Sequence, residues 1–204
     1  TISVQYKYVY LPARAPSSRK QVISPYPFKM DRFQEEAVNA VDSGCSVLVA
    51  APTSSGKTVV AEAAIARALE SGQRTFYTAP IKALCNQKYR DLVDRFGLEQ
   101  VGLLTGDNAI APWAKVVVMT TEVLRNMLYR SVSEVDNLAW VVLDEVHFLE
   151  DPYRGAVWEE VVLNLPEPVR IVALSATVSN ADELGDWLSS VRGPTEVVVE
   201  RRRP

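Results

Sequence analysis

The sequence predicts an α/β domain built on a mostly parallel, doubly wound sheet. Three observations lead there. Short β-branched apolar runs recur along the chain, helical periodicity separates most of them, and 204 residues with 48% hydrophobic content suffice for one buried core. Continuous apolar strands alternating with helices need cover on both faces, which a parallel sheet with helices above and below provides.

The elements follow in order from about residue 31. Asp31 can cap a helix whose Phe33, Ala37, Ala40 and Val41 share one face and which Gly44 ends. The run Ser46–Ala51 reads as a buried strand, followed by a helix from Gly56 with Ala61, Ile65, Ala68 and Leu69 inward. Further strands are expected at Thr75–Thr78, Val101–Leu104, Val116–Thr120, Trp140–Asp144, Ile171–Ser175 and Glu196–Val199. Helices are expected at Ile81–Phe96, Glu122–Tyr129, Gly155–Leu165 and Asn180–Ser190. Trp158, Val161, Val162 and Leu165 fall at helical spacing and read as core. Two segments stand apart. Residues 1–10 alternate Ile2, Val4, Tyr6, Tyr8 and Tyr10 in a period-two strand pattern, and a loop rich in Pro, Ser and basic residues follows from Pro12 to Pro27. The division expected is therefore an N-terminal strand and loop (1–27), the main domain (28–200) and the start of a linker (201–204).

Composition narrows the function classes. The formal charge of -3 excludes a general basic field, so any polynucleotide contact must come from local sites. Cys45 and Cys85, the only cysteines, each lie beside an apolar run and read as buried thiols of a reducing compartment, without a disulfide. The single histidine, His147, excludes a His-rich metal cluster. The apolar runs are strand-length, which predicts no membrane span and a soluble, intracellular, cytoplasmic chain.

Two motifs carry chemistry. After the first strand comes Ala51-Pro52-Thr53-Ser54-Ser55-Gly56-Lys57-Thr58, then a helix. Small residues and Gly56 let backbone N–H groups curl around an anionic phosphate, and the helix N-terminus adds its positive end. Lys57 would reach the β- and γ-phosphates of ATP, and the Thr58 hydroxyl can ligate Mg²⁺. The second motif, Trp140 to His147, is a buried strand that delivers Asp144-Glu145 to its carboxyl end, where open α/β sheets bind ligands. Asp144 would hold Mg²⁺ through water and Glu145 would orient or deprotonate the attacking water, since phosphoryl transfer needs positioning more than covalent chemistry.

On these motifs and those between them, the chain resembles the superkiller-type (Ski-two-like) DExH-box RNA helicases of superfamily 2, from about Phe28 to Arg203. The resemblance implies a RecA-like first motor domain. It also implies an adenine-reading segment, Phe28 to Gln34, in which Phe28 stacks on the base and Gln34 bonds its edge; Asp31 and Gln34 equally make a capping pair. The string Thr78 to Lys88 is similar to the family's first nucleic-acid motif, with Pro80, Ile81 and Lys82 opening a helix whose free N–H groups can hold a backbone phosphate. Cys85 stands there where the family usually carries Ser. Gly102 to Asp107 resembles the next, placing Thr105 and Gly106 near a phosphate. Thr120 to Arg130 resembles a third, with Thr121 capping its helix and Arg125 among the nucleic-acid residues. Ser175-Ala176-Thr177 closes the set, its hydroxyls linking the acidic box to the strand grip, with His147 as a further coupling residue. Backbone contacts of this kind imply single-stranded RNA bound without reading its bases. The family burns ATP between this domain and a second RecA-like domain, whose arginine fingers contribute roughly 10³ to 10⁵ in rate in related systems. No such motif appears before Pro204, so Arg201–Arg203 read as a linker and the isolated chain is expected to bind nucleotide weakly with almost no turnover. A DNA helicase motor of the same superfamily and a non-catalytic nucleotide-binding module remain as alternatives.

Overall fold

A computed structural model describes residues 28–130, 135–146, 152–176 and 179–201. The strand and loop expected over residues 1–27 lie outside them, as do His147, Thr177, Arg202 and Arg203. Residues Thr1–Met30 form a unit of their own, separate from Asp31–Pro204, and the description below concerns the second unit.

Its order is α1 (Arg32–Asp42), β1 (Ser46–Ala50), α2 (Thr58–Glu70), β2 (Arg74–Ala79), α3 (Lys82–Phe96), β3 (Val101–Leu104), β4 (Ala109–Ile110) and β5 (Val116–Thr120). There follow α4 (Thr121–Arg130), β6 (Leu138–Leu143), α5 (Pro152–Asn164), β7 (Arg170–Ser175), α6 (Ala181–Arg192) and β8 (Thr195–Val199). The eight strands form one sheet in the order β4-β3-β5-β2-β6-β7-β1-β8. All neighbours run parallel except β3 and β4, which pair antiparallel at one edge. The doubly wound parallel architecture read from the sequence is the one found. The short strand β4 is the element the sequence did not announce, because two residues carry no periodicity.

The period-two pleat sorts the strand side chains into two cores. Val47, Val49, Tyr77, Ala79, Val116, Val118, Val142, Val172 and Leu174 pack with Phe33, Ala37, Ala61, Ile65, Cys85 and Leu92 beneath α1, α2 and α3. Their sequence neighbours Leu48, Ala50, Phe76, Val117, Met119, Val141, Leu143, Ile171 and Ala173 point the other way, onto Leu124, Trp158, Val161, Val162 and Leu188 of α4, α5 and α6. Strands buried on both faces are the reason their sequences read as unbroken apolar runs. Trp158 packs its ring 5.4 Å from that of Trp187, and Trp158, Val161, Val162 and Leu165 are all buried as their spacing predicted.

Helix starts differ from the sequence reading by one to three residues, most at α5, which begins at Pro152 rather than Gly155, and two of the shifts bear on the site. Helix α4 begins at Thr121 itself, and the Thr120 hydroxyl accepts the Val123 N–H at 3.4 Å, so the capping oxygen belongs to Thr120. A capping side chain accepts an N–H two or three residues ahead of it, and Thr120 does so at Val123. Helix α3 begins at Lys82 with Ile81 extended as its N-cap, which puts Pro80 one residue before the cap rather than in the first turn. Both cysteines are free; Cys85 is buried as expected, whereas Cys45 is only half-buried in the turn before β1. Burial pushes the Cys85 thiol up to about 11, so it stays protonated against the Ala79 carbonyl.

Candidate nucleotide and nucleic-acid site

Because the strands other than β4 are parallel, their carboxyl ends share one edge of the sheet, where the phosphate loop, Pro80, Thr105, Thr121, the acid pair and Ser175 follow or end a strand. Strand β7 lies between β1 and β6, so Ser175 separates the loop after β1 from the acid pair after β6. The Ser175 carbonyl accepts the Ala51 N–H at 3.0 Å, and the Asp144 N–H reaches the Thr78 carbonyl at 2.9 Å. Two pairs of strand ends are thereby joined by backbone alone, β1 to β7 and β6 to β2.

The loop from Ala51 to Lys57 turns on two left-handed residues, Ser54 (φ 66) and Gly56 (φ 82). A side chain at Gly56 is opposed twice, by that φ and by the Gln34 amide, which an added Cβ would displace from its hydrogen bonds. Gln34 is buried and fully used. Its Oε1 accepts the Asp31 N–H at 2.9 Å while its Nε2 donates to the Gly56 carbonyl at 3.0 Å. The capping role and a role at the phosphate loop are thus both present in one side chain. Phe28 belongs to the other unit, and its ring is exposed.

Lys57 folds back on its own loop, donating to the Ala51 carbonyl at 2.6 Å and the Pro52 carbonyl at 2.9 Å. Burial lowers its pKa, while Glu145 and then Asp144 pull it back up, so the two carboxylates and the lysine share one electrostatic neighbourhood. Asp144 is held at both oxygens: Oδ2 accepts the Tyr77 hydroxyl at 2.5 Å and Oδ1 accepts the Glu145 N–H at 2.9 Å. That second bond accompanies a left-handed Glu145 (φ 58), a conformation costing on the order of 1–2 kcal/mol in a residue with a Cβ. Tyr77 is buried in the middle of β2. Burial first, then the Asp144 carboxylate, hold its pKa well above the ordinary phenol value, so it remains the donor.

The residues fit a phosphate and a divalent cation. The Ser55 hydroxyl is buried with no partner, an orphan at the heart of the loop. Among the described residues, no three His, Cys, Asp or Glu side chains could hold a metal by themselves. A cation here would need ligands from the Thr58 hydroxyl, water and phosphate oxygens, with Asp144 beyond, the set Mg²⁺ prefers.

Beyond β2 the edge changes character. Ile81 and Lys82 are exposed at the start of α3, and Pro80 is half-buried. Lys82 Nζ pairs with Asp107 Oδ1 at 2.9 Å, and the same oxygen accepts the Thr105 hydroxyl at 3.0 Å. These bonds, Lys82 first, hold the Asp107 carboxyl below the usual carboxylate range. The turn Thr105–Asn108 is closed by the Thr105 N–H on the Asn108 carbonyl at 2.8 Å. Thr121 is half-buried at the start of α4. Arg125 is engaged by acidic side chains: its guanidinium lies 3.7 Å from Glu160 of α5 and 3.8 Å from Glu122.

Two residues at the site escaped the sequence reading. Tyr77 was only a strand residue, although a tyrosine inside a buried strand needs a partner for its hydroxyl. Lys88 closed a motif without a role; it donates to the Thr58 hydroxyl at 3.3 Å.

A parallel sheet with a phosphate-type loop after its first strand and an acid pair after a strand one place removed, with β7 between, defines a RecA-like P-loop domain. Within that class the chain belongs to the DEAD/DEAH box helicase family, whose model matches residues 31–184. It is 58% identical over 178 residues to the probable helicase HelY of Mycobacterium tuberculosis, covering 87% of this chain and 20% of that protein. It is 48% identical over 198 residues to the exosome RNA helicase MTR4 of Mus musculus, covering 97% of this chain and 18% of that one. The crystal structure of the DUF1998 helicase MrfA bound to DNA and AMPPNP superposes with a TM-score of 0.65 at 25% identity, over 85% of this chain and 27% of the other. The chain thus spans about a fifth of the length of the relatives it matches. Helicases of this family use ATP, generally with Mg²⁺. No helix among the described residues is long and apolar enough to cross a membrane.

Proposed function

We propose that this chain is the ATP- and RNA-binding first motor domain of an ATP-dependent RNA helicase. The observation that carries the reading is the phosphate loop itself: an orphaned Ser55 hydroxyl, a glycine closed off by Gln34, and Lys57 beside Asp144 and Glu145. In this reading Lys57 leaves the Ala51 and Pro52 carbonyls for the β- and γ-phosphates, an exchange between acceptors that needs no new buried charge. Bound Mg²⁺ would neutralise phosphate charge. Thr58 would supply one of its ligands, Tyr77 would keep Asp144 turned toward it, and Glu145 would orient the attacking water. Gln34 would link the base to the loop, with Phe28 as the stacking ring.

For nucleic acid, the proposed contacts are the Pro80-Ile81-Lys82 helix start, the Thr105-Gly106 turn, Thr121 and Arg125, with Ser175, Thr177 and His147 in coupling. Gly106 supports the turn's role. A Cβ there meets nothing within 4 Å and its φ is not left-handed, so neither packing nor backbone requires a glycine. Close approach of a phosphate would require one. RNA is favoured over DNA by 48% identity to a protein described as an RNA helicase, against 25% to one crystallised with DNA. The cations that would face the opposite side of the nucleotide belong, on this reading, to a second RecA-like domain, so this chain alone should bind and scarcely turn over.

The test is equilibrium binding of a fluorescent ADP to the 204-residue chain. Lys57→Ala should weaken it by about tenfold to a hundredfold, the worth of a charged hydrogen bond. Binding that survives Lys57→Ala unchanged sinks the assignment. Binding of an RNA oligonucleotide no tighter than of its DNA counterpart favours the DNA-helicase reading.

A further inference from the structure

We propose that Lys88 is a positioning residue of the metal site: its ammonium holds the Thr58 hydroxyl until a divalent cation takes that oxygen, which ties metal loading to helix α3. The inference rests on the reading of Thr58 as a metal ligand. Lys88 reaches across from α3 to α2 and donates to Thr58 Oγ1 at 3.3 Å. A threonine hydroxyl has one hydrogen and two lone pairs, and its metal-ligating lone pair is the kind an ammonium would occupy. Lys88 therefore competes with Mg²⁺ for one atom, and two cations on a single partly buried oxygen repel strongly. Its charge is felt at Lys57 as well, where it lowers the pKa along with burial.

The displaced ammonium has a destination one turn away. Glu62 follows Thr58 by four residues on α2, which stacks the two side chains on the same face. Burial raises the Glu62 pKa, and the cations opposing that rise are Arg95, at 3.3 Å, and Lys88. Lys88 and Arg95 are themselves two turns apart on one face of α3, so the α2–α3 seam is a ladder of charge that begins at the metal-ligating hydroxyl. Helix α3 also carries Lys82, six residues before Lys88 and about 9 Å along the axis, paired to Asp107. When Lys88 moves from Thr58 to Glu62, the force acts on the same rigid helix whose first turn faces the proposed nucleic acid.

The experiment compares the affinity of this chain for N-methylanthraniloyl-ADP in Mg²⁺ and in EDTA, whose ratio measures what the metal adds. In Lys88→Met that ratio should rise by about fivefold, at the lower end of usual coupling strengths, because the competing cation is gone. Lys88→Arg, which keeps the charge, should stay near the wild type. The effect of Mg²⁺-nucleotide on the affinity for a single-stranded RNA oligonucleotide should shrink toward none in Lys88→Met, while thermal melting confirms that the variant is folded. A ratio unchanged or lower in Lys88→Met, with Lys57→Ala still weakening binding, overturns this inference and leaves the nucleotide site standing. Wild-type binding indifferent to both Mg²⁺ and Lys57→Ala overturns both.

Discussion

The two halves of the sheet edge are built differently. On the nucleotide half, after β1, β7 and β6, Lys57, Gln34 and Asp144 are held by the protein's own groups. Lys57 sits on two carbonyls, Gln34 on two backbone partners, and Asp144 between Tyr77 and its own neighbour. On the other half, after β2 and β3, the bonds are solvent-exposed ion pairs: Lys82 and Asp107 leave 55% and 69% of their side chains in water. A buried hydrogen bond to a charge is worth about 1.5–3 kcal/mol, and an exposed ion pair about 0–1. The first half is therefore pre-formed for one ligand shape. The second yields its pairs at little cost to any phosphate that arrives, as suits a track along which a strand must slip.

The largest break in that contrast should come from Gly56→Ala. It forces a Cβ into a left-handed residue and onto the Gln34 amide. We expect a cost of at least about 2 kcal/mol and nucleotide affinity lower by more than about thirtyfold. Isothermal titration with ADP measures it, and near-native affinity would show that the loop is not rigid. Tyr77→Phe should come next. Phenylalanine fills the same space and removes only the donor to Asp144. The expected loss is about 1.5–3 kcal/mol of stability by denaturant unfolding, with a weaker Mg²⁺ effect on ADP binding. Stability lost with the Mg²⁺ effect intact would make Tyr77 a packing residue alone.

Both halves were legible in the sequence as far as local pattern reaches. Strands β3 and β5 carry the bounds their apolar runs predicted, and the phosphate loop is legible because its residue types have a chemical reason at each position. What escaped are contacts between elements distant in sequence. Tyr77 meets Asp144 across 67 positions and Lys88 meets Thr58 across 30, and no local periodicity encodes such pairs. The cap at Thr120 rather than Thr121, and Pro80 before its helix, show the same limit at short range. The residue types announce a helix start, while the hydrogen bond that fixes it depends on one residue of register.

The smallest effects belong to the exposed half, and they test whether its pairs are truly yielding. Lys82→Ala should change stability by less than about 0.5 kcal/mol and yet weaken single-stranded RNA, reducing the slope of log affinity against log salt by about 0.7. Asp107→Asn should do the reverse. Asp107 competes with phosphate for Lys82, and its carboxyl is held below the usual range by that same lysine. A depressed carboxylate adds stability that is present at neutral pH and is lost only as acid drops the solution through its folded-state pKa, below the usual carboxylate range. Between pH 6 and 8, on the order of neutrality, neither stability nor RNA affinity should therefore vary through this pair. Removing the carboxylate should tighten RNA binding by a factor of about two, read by fluorescence anisotropy at low salt and fading at high salt. Weaker binding by Asp107→Asn would mean that the carboxylate orders the Thr105 turn for the strand instead of competing with it, and the exposed half would then be pre-formed as well.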